Sequence, residues 1–136
     1  RYLERILDSE RTYSCEELAD QIAKSLERRT QLLRLLAMNN YDMEANSRQE
    51  LLTSFKTAYG KSMRNMGSIL DKFCPEMSAD DKQNFIYVFY PFMFGIYPYS
   101  AVTDKQKEAM KEAGVDYAYQ SVYEISYRCL AKLLGV

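Results

Sequence analysis

The residue types that usually carry covalent or acid–base chemistry are few in this sequence, and histidine is absent altogether. Without histidine the chain lacks the usual general base, the usual zinc ligand and every Ser-His or Cys-His nucleophile arrangement. Helical di-iron sites are excluded as well, because they need paired Glu-x-x-His motifs. The five glycines are scattered singly and form no phosphate-binding loop. We therefore predict no enzyme, no catalytic residue, no metal site and no cofactor.

Adjacent carboxylates and three cysteines are the remaining reactive groups. The carboxylate pairs at positions 16–17 and 80–81 lie near predicted helix starts, where the helix dipole favours negative charge, so capping is the preferred interpretation. The cysteines are an odd number at wide spacing without a CxxC motif, a pattern typical of a reducing compartment. They are Cys15, Cys74 and Cys129. We interpret them as structural side chains, and we predict a cytoplasmic protein.

Composition and charge limit the class of protein. The chain has 136 residues, which is enough for one domain with a substantial core. Hydrophobic residues make up 47% and charged residues 27%, as in an ordinary folded domain. The net charge is -1, and the densest basic spot, Arg28 and Arg29, lies beside Glu27. Because nucleic-acid binding needs a basic face that neutralises phosphates, this chain by itself is not expected to bind DNA or RNA.

Helical periodicity and a recurring start signal predict the secondary structure. In a capping box, a Ser or Thr and an acid or Gln three residues later satisfy free amides at a helix start. The pattern occurs five times, at Ser14 with Glu17, Ser47 with Glu50, Ser78 with Asp81, Thr103 with Gln106, and Ser121 with Glu124. Strand-like alternation and Asn-Gly or Asp-Gly hairpin turns are missing. We predict an all-α fold of six or seven helices, in a single domain that spans residues 1–136.

The stretch "YVFYPFMFGIYPYS", residues 87–100, contains no charged residue. The apolar run from Phe85 to Tyr99 is about five residues shorter than a bilayer-crossing helix, and two prolines interrupt it, so we exclude a membrane segment. A helix that is apolar all round must be covered on all sides. We therefore predict that residues 79–97 pack on the core with one side, and face a second subunit or a ligand chamber with another.

Successive segments of the chain have a distinctive order. They are "EELADQIAKSLERRTQLLRLLAMNNYDMEANS", the long helix "RQELLTSFKTAYGKSMRNMGSIL" closed by "FCPEMSADD", then "FIYVFYPFMFGIYPYS" and "VYEISYRCLAKLLGV". Within the first, "RRTQLLRLLAMNNYDMEAN" fits a short helix ending in R-x-L-x-R-L-L-A before an Asn-containing turn, with Thr30 where a proline is common. Over nearly its whole length, the chain resembles the C-terminal effector-binding and dimerisation domain of TetR-family transcriptional regulators.

The resemblance implies a homodimer and a small-molecule effector. It implies an N-terminal helix-turn-helix unit that this chain lacks, so that DNA is bound only through that unit and no membrane is involved. The last two long helices, about 79–97 and 119–134, are expected to pair with their copies across a two-fold axis as a four-helix bundle. A small apolar or aromatic effector among the central helices would then alter operator affinity, as in a repressor.

The helical stripes suggest positions for both sites. Flexible Met side chains and Tyr hydroxyl groups suit a chamber that accepts and orients an apolar guest. The predicted ligand-binding residues are Met38, Tyr41, Tyr59, Met63, Met66, Phe89 and Met93. The predicted dimer-interface residues are Phe92, Ile96, Tyr123, Tyr127 and Leu130.

Two other interpretations stay open at the level of the sequence. One is a helical protein-interaction module in which the aromatic stripes form only core and interface, with no small-molecule effector. The other is a small helical enzyme that uses tyrosines and carboxylates on a hydrophobic substrate. A thermal shift across a panel of apolar ligands would argue against the first. Turnover that disappears when a pocket tyrosine is mutated would support the second.

Overall fold

The computed structural model describes residues 2–37 and 48–136. Within these two ranges the chain forms eight helices and no strand, which confirms the predicted all-α fold class. In chain order they are α1 (Tyr2–Asp8), α2 (Cys15–Arg28), α3 (residues 30–37), α4 (Gln49–Phe73), α5 (Ala79–Gly95), α6 (Tyr97–Ser100), α7 (Asp104–Glu112) and α8 (Val122–Leu134).

The helix count exceeds the predicted six or seven, because a short additional helix, α6, follows the predicted helix 79–97. Pro98 has no N–H to donate to the carbonyl group four residues earlier, so a continuous helix would lose a hydrogen bond there. The structure ends α5 at Gly95 and begins α6 at Tyr97, with Pro98 in the first turn, where an amide would be unpaired in any case. Pro91, in contrast, lies inside α5, which continues through it.

The predicted capping residues account for four of the eight helix starts that the structure describes. Both reciprocal hydrogen bonds are present at Ser14, Thr103 and Ser121, where α2, α7 and α8 begin. At α5 the Ser78 hydroxyl accepts a hydrogen bond from the Asp81 amide, which is half of the motif. Ser47 lies outside the described residues, and α4 has Arg48 at its N-cap without a side-chain cap hydrogen bond.

The hydrophobic core lies where α2, α4, α5 and α8 meet. Helix α8 packs along α2 and also contacts α5, while α1 packs on α4. Phe85 and Phe89 of α5 are fully buried, with ring centroids 5.5 Å apart. Leu18 of α2 and Ile69 of α4 are also fully buried. Burial of each such side chain contributes about 1.5–3 kcal/mol to folding, so these contacts fix the arrangement of the long helices.

Helix α5 combines a polar first turn with an apolar body. Asp80 and Asp81 lie in its first turn, and Phe85, Phe89 and Tyr90 are its buried residues. Along residues 2–37 and 48–136, no helix has the length and apolar character that spanning a membrane requires.

Two of the three cysteines lie together, although they are far apart in the sequence. Cys15 begins α2 and Cys74 follows α4, and their Cα atoms are 5.9 Å apart, a separation typical of disulfides. The structure joins them in a disulfide bond that closes a loop with a sequence separation of 59. This differs from the expectation of a reducing compartment, in which disulfides are rare. Cys129 is free and half-buried, and burial raises the pKa of its thiol group.

Candidate functional site

A cavity of about 640 Å³ lies among helices α1 to α5. Its volume is within the range of about 300–1,000 Å³ that is usual for small-molecule sites. We call it the chamber. Its walls are mainly apolar and aromatic side chains, from Leu3 of α1, Ile22 and Leu26 of α2, Leu32 and Leu36 of α3, Phe55, Ala58, Tyr59 and Met66 of α4, and Phe89, Tyr90, Met93 and Phe94 of α5.

Aromatic rings build the wall between α4 and α5. The Tyr59 ring meets the Tyr90 ring edge-on at 5.3 Å between centroids, and the Phe94 ring at 5.8 Å. The oxygen atoms of Tyr90 and Ser62 are hydrogen-bonded at 2.7 Å. Burial raises the pKa of both Tyr59 and Tyr90, so their hydroxyl groups stay neutral at physiological pH. The wall therefore offers an apolar surface with a few neutral polar groups.

Three charged side chains lie at the polar end of the chamber. Lys61 and Glu4 form an ion pair at 2.9 Å, and the hydrogen bond from Lys61 holds the pKa of the Glu4 carboxyl below its usual value. Arg29 is half-buried, lies over the Tyr2 ring at 4.9 Å and donates a hydrogen bond to the buried Ser25 hydroxyl. Because Glu4 and Lys61 neutralise each other, Arg29 contributes the net charge at this end.

The structure gathers four of the seven predicted ligand-binding residues around the chamber. Tyr59 and Met66 line it from α4, and Phe89 and Met93 line it from α5. Met63 is partly buried against the core and is not among the lining residues. Met38 and Tyr41 lie outside the described residues. The assignment of these residues to an effector stays a prediction.

Several chamber residues were not predicted from the sequence. Phe55 precedes Tyr59 by one turn, and Tyr90 and Phe94 are one turn apart on α5. This spacing was a signal that the sequence offered, because residues four apart share a helix face. Tyr2 and Arg29, in contrast, lie in parts of the chain whose own periodicity gives no sign of a cavity. Tyr2 reaches the chamber through the packing of α1 on α4, and Arg29 lies over the Tyr2 ring.

Three of the five predicted dimer-interface residues make contacts within the chain. Phe92 is half-buried and stacks on Phe89, with ring centroids 6.2 Å apart. The Tyr123 and Tyr127 hydroxyl groups donate hydrogen bonds to the carboxylates of Asp20 at 2.5 Å and Glu16 at 3.5 Å on α2. The hydrogen bond to Asp20, followed by burial, raises the pKa of Tyr123 to about 12. These tyrosines join α8 to α2.

The other two predicted interface residues belong to the core of the single chain. Ile96 is 3% exposed and Leu130 is fully buried. Neither therefore has side-chain surface left to bury against a second copy. Their periodicity marked them as inward-facing, but the sequence did not show which partner they face.

An uncharged face of α5 is open to solvent instead. Tyr87 is 62% exposed and Val88 is 41% exposed, and Pro91 is exposed one turn further along. Pro91 is four residues after Tyr87 and three after Val88, and residues three or four apart are neighbours on a helix surface. We call Tyr87, Val88 and Pro91 the α5 face. Large apolar side chains exposed together are typical of interaction surfaces.

Metal-binding side chains do not cluster in the part of the chain that the structure describes. There, no group of three or more His, Cys, Asp or Glu residues is placed to hold a metal ion. The chemistry of the site is therefore that of apolar contact, neutral hydroxyl groups and a guanidinium group.

An all-helical domain with an apolar chamber among its helices is the class of protein that this fold and site define. The sequence model of the family described as "Tetracyclin repressor-like, C-terminal domain" matches residues 1–119. The chain belongs to this family. Among curated proteins and among solved structures, no match to the chain was found.

Proposed function

We propose that this chain is the effector-binding and dimerisation domain of a TetR-type transcriptional regulator. In this proposal a small apolar molecule occupies the chamber and changes the affinity for operator DNA, which a separate helix-turn-helix unit binds. The observation that carries the proposal is the chamber of about 640 Å³ with its aromatic wall. Membership of the family supports it.

The walls of the chamber suggest how occupancy would be transmitted. Helices α4 and α5 contribute the aromatic wall, and α1 packs on α4. A guest that changes the separation of α4 and α5 would move the α5 face, to which we assign the second copy of the chain. In a two-fold dimer, such a movement alters the distance between two DNA-reading units, which is about 34 Å when they read adjacent turns. A coupling of about 1–3 kcal/mol between the two sites is sufficient for regulation.

Filling the chamber tests this proposal. The neutral fluorescent probe N-phenyl-1-naphthylamine is expected to bind saturably, with one molecule per chain. Tyr59→Trp replaces a ring of the aromatic wall with a larger one and is expected to weaken probe binding severalfold, because the indole occupies part of the space that the probe would fill. A fluorescence titration of the folded variant measures the effect.

The matched control is Tyr99→Trp, because Tyr99 lies in α6 and is 62% exposed. Probe binding to this variant should equal binding to the unmodified chain. Equal binding to all three proteins, or no saturable binding to the unmodified chain, would contradict the assignment of the chamber as an effector site.

A further inference from the structure

A second cavity adjoins the polar end of the chamber. Its volume is about 260 Å³, and Tyr2, Ser25 and Arg29 line both cavities. These three side chains therefore form a shared wall between the two spaces, where Tyr2 of α1 contacts α2. A guest in the apolar chamber would place one end beside this wall, next to the second cavity, which we call the basic pocket.

The basic pocket has a strongly positive lining. Arg5 of α1 and Arg28 of α2 line it together with Arg29, and no acidic side chain is among its lining residues. Within residues 2–37 and 48–136, none of the ion pairs includes any of these three arginines. Three guanidinium groups around one small cavity repel each other, so an anion bound among them would be stabilised.

Polar groups that can orient an anion accompany the arginines. The Tyr2 hydroxyl donates a hydrogen bond to the Gln21 carbonyl at 2.9 Å, and the Tyr2 ring supports the Arg29 guanidinium at 4.9 Å. Arg29 also donates to the Ser25 hydroxyl. These contacts hold Arg29 at the border of the two cavities, while its remaining N–H groups are available to a guest. A fixed guanidinium group binds carboxylate and phosphate well, because it offers two parallel donors.

From this juxtaposition we infer that the effector is an amphipathic anion, with an apolar body in the chamber and a single carboxylate or phosphate head group beside Arg29 in the basic pocket. This inference rests on the proposed function and specifies the class of ligand for that site. The Glu4–Lys61 pair leaves no net charge elsewhere at the polar end. A neutral or cationic molecule as long as this anion would fill the same space, but it would leave the three arginines without a counter-charge.

A series of decyl compounds tests the inference. Decanoate and decyl phosphate carry the anion, decan-1-ol has a neutral head and decylamine is cationic at neutral pH. Each competes with N-phenyl-1-naphthylamine for the chamber of the unmodified 136-residue chain. We expect the two anions to displace the probe at a concentration at least tenfold lower than the alcohol requires, and the amine to be the weakest. The advantage of the anions should decrease as salt is added, because salt screens charge interactions at partly exposed sites.

Variants of the arginines assign the head-group position. Arg29→Gln removes the charge at the border of the cavities and is expected to remove most of the advantage that decanoate has over the alcohol. Arg5→Gln serves as a second variant, since Arg5 is exposed and its loss should not impair folding. Arg5→Gln is expected to weaken the binding of decanoate severalfold. Arg128→Gln, on the exposed side of α8, is the matched control and should leave both ligands unaffected.

The outcomes separate this inference from the proposed function. One outcome is that the alcohol and the anions bind equally well and that Tyr59→Trp weakens the binding of both kinds of compound. In that case the chamber is an effector site, but the inference that its effector is an anion is wrong. If the anions bind more tightly but Arg29→Gln and Arg5→Gln do not reduce the advantage, the basic pocket is not the head-group site. If no decyl compound displaces the probe, the inference is overturned. If the probe itself does not bind, the proposed function fails as well.

Discussion

Cys15→Ser is expected to lower the free energy of unfolding by about 4 kcal/mol relative to the oxidised protein. The disulfide between Cys15 and Cys74 closes a loop with a sequence separation of 59, and in the chain-entropy model a crosslink of this loop size destabilises the unfolded state by about that amount. Loss of the disulfide also removes the covalent link between the start of α2 and the end of α4. Both helices contribute side chains to the chamber. Urea denaturation without reductant measures the change.

Reduction of the unmodified protein is the control for this prediction. With dithiothreitol present, the unmodified protein and Cys15→Ser should unfold at nearly the same urea concentration, because neither then has the crosslink. Cys129→Ser retains the disulfide and should unfold close to the oxidised protein. If Cys15→Ser and the oxidised protein unfold together without reductant, the disulfide does not stabilise this fold.

Phe85→Ala is expected to destabilise the protein by about 3–5 kcal/mol, the usual cost of deleting a buried phenylalanine ring. Phe85 is fully buried where α5 meets the core, and its ring packs beside Phe89, which also lines the chamber. The variant therefore leaves a cavity next to the wall of the chamber. We expect a lower midpoint in urea denaturation and weaker binding of N-phenyl-1-naphthylamine.

Asn84→Ala is the matched control, because Asn84 is the preceding residue of α5 and is exposed. Its free energy of unfolding should stay within about 0.5 kcal/mol of that of the unmodified chain. A similar loss of stability in both variants would mean that the effect comes from the helix and not from the buried ring. An unchanged stability of Phe85→Ala would contradict the position of α5 in the core.

Local signals in the sequence were sufficient for the fold class and for the starts of α2, α5, α7 and α8. Ser14, Thr103 and Ser121 act only on neighbouring residues, so their capping boxes could be recognised without knowledge of the fold. Helix α6 was missed because the predicted helix ended at residue 97, just before Pro98, whereas a proline also fits the first turn of a new helix. Helix starts with a capping side chain could thus be predicted, and the start of α6, without one, could not.

Contacts between distant residues could not be predicted in the same way. Tyr59 and Phe89 were recognised as chamber residues because each lies on an apolar stripe of a long helix. Arg29 looked like an ordinary surface charge, and only the packing of α1 against α4 brings Tyr2 and the basic pocket to it. The pairing of Cys15 with Cys74 has the same origin, since a sequence separation of 59 carries no local signal.

The two sides of an apolar helix were the hardest feature to distinguish. Periodicity places Leu130 and the apolar residues of α5 on apolar helix stripes. It does not indicate whether such a stripe faces the core of its own chain or a second copy of the chain. The structure buries Leu130 and Ile96 and leaves Tyr87 and Val88 exposed. The prediction of an interface along α5 and α8 stays a prediction, and the exposed residues are now the best candidates for it.

The mass of this chain in solution, measured by light scattering over a wide concentration range, tests the central claim most directly. We expect the mass of two chains, and we expect Val88→Asp to give the mass of one chain, because a charge buried in an apolar interface is costly. Val115→Asp is the matched control, since Val115 is 47% exposed and Val88 is 41% exposed, and it should remain dimeric. A single-chain mass for the unmodified protein at every concentration would contradict the account of a dimerisation domain.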